Sequence, residues 1–98
     1  MSMSSRESES DDADELAYLR ETSVETVLGN HVFVLVQLAA MRLSMTPPDL
    51  KGAQLIIDTL GAIISTGGDR LGEHITLYRN ALAEVQQVYV RAAQPTSD

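Results

Sequence analysis

Few residues in this chain could do chemistry, and their spacing decides against most of it. Glu73 and His74 could form an acid–base pair. Neighbouring residues on a helix point about 100° apart, so the two side chains do not converge on one proton. Gly67-Gly68-Asp69-Arg70-Leu71-Gly72 is a glycine-rich stretch before a helical pattern, and helix N-termini do bind anions. A phosphate loop, however, needs Lys and then Ser or Thr after its second spaced glycine. Here Gly72 is followed by Glu73 and His74, so the stretch reads as a turn between two helices. His31 and Arg42 fall on one otherwise apolar helical face, about 20° apart. His31 there reads as a buried neutral imidazole, satisfied by a tyrosine hydroxyl or by its symmetry mate across an interface. Polar residues on such a face fix register between subunits. Tyr78 and Tyr89, also about 20° apart, read as core or interface aromatics.

Composition narrows the field further. The 98 residues carry 14 acids and 7 bases, a formal charge of −7. Six of those acids (Glu7, Glu9, Asp11, Asp12, Asp14, Glu15) and a single base, Arg6, lie in residues 1–15, so the body that follows is close to neutral. With Arg70, Arg79 and Arg91 scattered around one helix, no basic stripe forms, and nucleic acid is not an expected partner. The absence of cysteine removes disulfides, thiolate metal sites and thiol nucleophiles. Two histidines are too few for an all-histidine zinc site. No catalytic, cofactor-binding or metal-binding residue is assigned, and a non-enzymatic protein without a cofactor is expected. The acidic N-terminus has none of the basic and apolar character of a secretory signal. The most apolar stretch, Val32 to Met45, is interrupted by Gln37, Arg42 and Ser44. It falls short of the roughly 20 apolar residues that span a bilayer. The expected location is cytoplasmic, with no membrane partner.

The elements follow from periodicity and caps. Residues 1–15 form a serine-rich acidic tail that cannot bury enough apolar surface to order itself. Ser8 and Ser10 sit there among acids, as acid-directed kinase sites do, although a solubilising tail explains the same composition. Leu16, Tyr18 and Leu19 suit a short helical piece within 13–21 that docks on the body. A helical domain is expected over residues 16–93, with a frayed tail at 94–98. The first long helix should start at Thr22, boxed with Glu25. One of its stripes carries Val24, Val27, Leu28, His31, Val34, Leu35, Leu38, Met41 and Met45; Val32, Val36, Ala39 and Leu43 lie on another side. A helix this apolar needs more than one neighbour.

Thr46-Pro47-Pro48-Asp49 should end that helix and start a second, with Thr46 as N-cap and Pro47 at its first position. Leu50, Ala53, Ile56, Ile57, Leu60, Ile63 and Ile64 face inward on it, and Gly67-Gly68 closes it. Asp69 is placed to cap a third helix. On that helix Leu71, Ile75, Tyr78, Leu82, Val85, Tyr89 and Ala92 repeat with heptad spacing. The expected fold is all-α, a three-helix domain with two long helices and a shorter middle one, behind a disordered acidic tail.

The segments SVETVLGNHVFVLVQLAAMRL, LKGAQLIIDTLGAII and LYRNALAEVQQVYVRAA, with the proline break after the first, resemble a small bacterial family of unknown function, family eighteen-forty-four. Ile56 to Gly61 (IIDTLG) is the most telling piece, and the likeness spans about residues 22–92. STGGDRLGEH stands where many members carry a charged linker. The resemblance implies fold, size and a bacterial cytoplasmic setting, with a link to translation through neighbouring genes. It supplies no catalytic residues.

A body of about 70 residues is small for a self-sufficient core, so self-association is expected, as a C2 homodimer. Interface candidates are Val27, His31, Val34, Leu38 and Arg42 on the first helix and Leu71, Tyr78, Leu82 and Tyr89 on the last. The function expected is a non-catalytic homo-oligomeric interaction module. Two alternatives stand beside it: an adaptor receiving a partner helix, and a small ligand-binding protein or enzyme using an inter-helix pocket.

Overall fold

The structure, a computed structural model, describes residues 3–95, with side chains from residue 12 onward. Ser8 and Ser10, as side chains, and residues 96–98 of the frayed tail lie outside that description. Among the described residues every regular element is helical: α1 (Met3–Glu21), α2 (Val24–Leu43), α3 (Leu50–Gly67), a 3-10 turn (Gly68–Leu71) and α4 (Ile75–Ala93). The all-α class stands. The α-helices among the described residues number four, because residues 3–15 continue α1 where a disordered tail was expected. Nothing in MSSRESESDDADELAYLRE breaks a helix, since it lacks glycine and proline and contains Glu, Ala, Leu and Arg, all good helix formers. Arg20 lies in its last turn, where the helix dipole favours a cation.

α1 does not dock as expected. Leu16, Tyr18 and Leu19 stay exposed, and the side-chain link to the body is Asn30 Nδ2 donating to Tyr18 Oη at 2.5 Å. The radius of gyration, 17.4 Å, exceeds the roughly 13 Å of a compact chain of this length, as an arm held away from the body requires.

α2, α3 and α4 pack against one another pairwise. One cluster joins Val32, Leu60, Ile64, Leu71, Ile75 and Tyr78. The other joins Ala39, Leu43, Ala53, Ile57 and Val85. The N-terminal halves of α2 and α4 therefore share one end of the bundle, and α3 runs back between them.

The helix boundaries shift by identifiable causes. Thr22 does not cap α2, because its N–H donates to Tyr18 O and finishes α1. Ser23 caps α2 instead, its hydroxyl accepting from Thr26 N–H. Thr46 does not cap α3. Pro48 disfavours helical backbone at Pro47, so the helix waits for Asp49, whose side chain accepts from Gly52 N–H. Asp69 falls inside the 3-10 turn, and α4 begins six residues later with His74 as its N-cap. Gly68 ends α3 as expected at φ 51°, a backbone conformation that only glycine adopts without penalty.

Candidate interaction surface

α2 is apolar on two sides, and the described residues cover only one. Gly29, Val32, Ala39 and Leu43 are buried against α3 and α4. The second side carries Val24, Leu28, Val34, Leu38 and Met41, with Met45 just beyond the helix. These six are 40–70 % exposed. At 3.6 residues per turn they occupy an arc of roughly 140°, as wide as the core-facing stripe of an amphipathic helix.

The expected interface residues divide accordingly. His31, Val34, Leu38 and Arg42 lie exposed on α2, with Val27 half-buried beside them. Leu71 and Tyr78 are buried in the chain's own core, and Leu82 and Tyr89 are half-buried against it. The heptad repeat on α4 thus serves packing within the chain, because α2 and α3 both lie against it. Val24, Leu28, Met41 and Met45 were part of the α2 stripe in sequence but not among the interface candidates. Following the three-and-four spacing to both ends of the helix would have included them.

Two polar residues on α2 have partners within the chain. Within the single chain His31 is exposed, with Nδ1 within 2.9 Å of Val27 O, one turn back, and no tyrosine hydroxyl of the described residues meets it. Arg42 fastens the α2–α3 turn: its Nε donates to Asp49 Oδ2 at 2.7 Å, while Asp49 N–H donates to Arg42 O at 3.0 Å. The Gly52 N–H on Asp49 Oδ1, followed by the Arg42 guanidinium, holds the Asp49 carboxyl below its ordinary value of 3.8.

Two clefts flank the N-terminal end of α2. The larger, about 610 Å³, is walled by Val24, Leu28, Ala62, Ile63 and Leu71, with Glu25 and Arg70 among its polar members. It opens beside the exposed stripe and shares Val24 and Leu28 with it. The smaller, about 450 Å³, lies between the first turns of α2 and α4 and is more polar, lined by Glu25, Asn30, Glu73, His74 and Tyr78 among others. Glu73 and His74 are both exposed there. Tyr78 is buried edge-on to Phe33, centroids 5.6 Å apart. Among the described residues no three of His, Cys, Asp and Glu are grouped so as to hold a metal ion.

α2 is also the one helix among the described residues long and apolar enough, by length and composition, to cross a membrane; only 17 % of its apolar window is buried. With so little of the window buried, the observation is first one of exposed apolar surface. No family model, curated protein or solved structure matches the chain.

Proposed function

We propose that this protein is a non-catalytic interaction module that associates with itself through the outer face of α2. The carrying observation is the run of six large apolar side chains along that face, each 40–70 % exposed. It extends about 30 Å, the length of a 20-residue helix. A contiguous patch on this scale marks an interaction site on a soluble protein. Isolated exposed residues such as Leu55 on α3 carry no such meaning. The neighbouring α2 face is packed into the core, which favours a protein partner for the outer face over removal of α2 into a bilayer.

Sedimentation velocity over a concentration series tests this. The wild-type chain should shift from monomer to dimer as concentration rises. The Val34→Glu/Leu38→Glu variant should stay monomeric with its helical circular dichroism intact. A wild-type chain that remains monomeric throughout would overturn self-association and transfer the face to a partner helix of another protein, laid along the same stripe.

A further inference from the structure

We propose that the cleft of about 450 Å³ between the first turns of α2 and α4 binds a small primary amine in its ammonium form. Its volume falls within the range of small-molecule sites. It lies away from the apolar stripe, for Thr26 and Phe33 on its wall stand more than about 90° around α2 from the middle of that stripe. The amine site is therefore independent of self-association.

One buried side chain in this cleft has no partner. Tyr78 is only 3 % exposed, and its hydroxyl makes no hydrogen bond to any described residue. No side-chain oxygen among the described residues is both sealed from solvent and unpartnered. What remains exposed of Tyr78 thus includes the hydroxyl, which opens into the cleft that Tyr78 lines. A buried phenol ordinarily finds a hydrogen-bond partner, and here the partner has to enter from the cleft.

The charge balance names that partner. Glu25 and Glu73 both line the cleft, and neither forms an ion pair among the described residues. They flank one opening: Glu25 Cβ lies 3.7 Å from where a Cβ on Gly72 would stand, next to Glu73. None of the described lining residues is Lys or Arg. The N-termini of α2 and α4 each contribute roughly half a positive charge there, which two carboxylates exceed. About one negative charge is left over, with His74 counted neutral. A phosphate or carboxylate would add to that excess, whereas one ammonium cancels it. Ammonium N–H groups also supply donors to the Tyr78 hydroxyl oxygen and to the carboxylates. Phe33, 40 % exposed on the wall, adds an aromatic ring of the kind that attracts cations.

An NMR titration of the isotope-labelled full chain with n-butylammonium chloride, at fixed ionic strength, tests the site. The amide resonances of Glu25, Thr26 and Gly72 to Ile75 should shift and saturate. n-Butanol, with the same tail and no charge, should not produce this, nor should inorganic phosphate. Tyr78→Phe removes only the hydroxyl and should weaken butylammonium binding about tenfold. Glu73→Gln keeps the shape, removes the charge and should weaken it about two- to fivefold. The Val34→Glu/Leu38→Glu variant should bind butylammonium as the wild type does. Shifts that fail to saturate, equal shifts with butanol or phosphate, or unchanged affinity in Tyr78→Phe would overturn the amine site and leave self-association untouched. Tighter binding of Nα-acetyl-lysine methylamide than of butylammonium would overturn the small-molecule source in favour of a lysine side chain on another protein.

Discussion

The two apolar faces of α2 differ less in composition than in what surrounds them. The inner face presents Gly29, Val32, Ala39 and Leu43, mostly small side chains, and two helices lie close against it. The outer face presents Val24, Leu28, Val34, Leu38 and Met41, on average larger, and none of the described residues covers it. Small residues let backbones approach, and the space left after close approach is too thin for anything but methyl groups and one another's side chains. Larger residues on a face without a neighbour await one. Hydrophobic content alone does not decide which side of an apolar helix becomes core; the fit of side-chain size to the chain's own helices does.

That contrast can be broken first at the core. Leu60 has no solvent exposure and touches the α2 inner face through the Val32 cluster. Leu60→Ala, made in the Val34→Glu/Leu38→Glu background so that association does not contribute, should lose about 2–5 kcal/mol in urea unfolding. A loss below 1 kcal/mol would mean that the inner face is not the packed one.

A smaller effect probes the closeness of approach. A Cβ on Gly29 would sit 2.0 Å from Tyr78 Oη and 3.0 Å from its Cζ, and Tyr78 is buried and cannot swing aside freely. Gly29→Ala should therefore cost about 1–3 kcal/mol through overpacking. Tyr78→Phe in the same chain should return part of that loss by removing the atom in conflict. A double-mutant cycle measures the coupling, and an additive pair would refute this contact.

The α2–α3 turn gives a still smaller effect whose size depends on pH. The Asp49 carboxyl is held below 3.8 in the folded chain, chiefly by the Gly52 N–H and then by Arg42. Its depressed value means that the folded state binds the proton less readily than the unfolded state. The stabilisation is present above about pH 4 and is lost as pH falls through the folded-state value. The difference in melting temperature between the wild type and Asp49→Ala should thus be constant near neutrality and shrink below about pH 4. Part of it should also fade with salt, since Arg42 is nearly half exposed. A gap that widens on acidification would contradict the assignment.

The helical class, the inward residues of α3 and the glycine stop at Gly68 were all legible in the sequence, because each rests on a local rule. The positions of the caps were not. Ser23, Asp49 and His74 each lie downstream of the residue that capping patterns favour, displaced by a preceding helix that had to finish, by a second proline and by a 3-10 turn. Periodicity located the α4 seam but could not say whether it met its own chain or another, since both leave the same heptad. On α2 it located both stripes and could not rank them. The helix through residues 3–15 is not legible in composition, since a serine-rich acidic segment has the character of a disordered tail and only its lack of glycine and proline permits a helix.

The smallest expected effect is a control that separates an interface from mere exposure. Leu55 on α3 is 67 % exposed, about as much as Val24 or Met41 on α2, but it has no exposed apolar run along its own helix. Leu and Gln have similar helix propensities, so Leu55→Gln changes little besides surface character. It should alter stability by no more than about 0.5 kcal/mol and leave the concentration dependence of sedimentation unchanged, whereas Val34→Glu/Leu38→Glu abolishes it. Leu55 is at least as exposed as Val34 and Leu38 but lacks their contiguity, and Leu55→Glu gives the same test with charge included. If Leu55→Gln also prevented association, exposure anywhere on the bundle would be what matters, and the outer face of α2 would lose its claim as the contact surface.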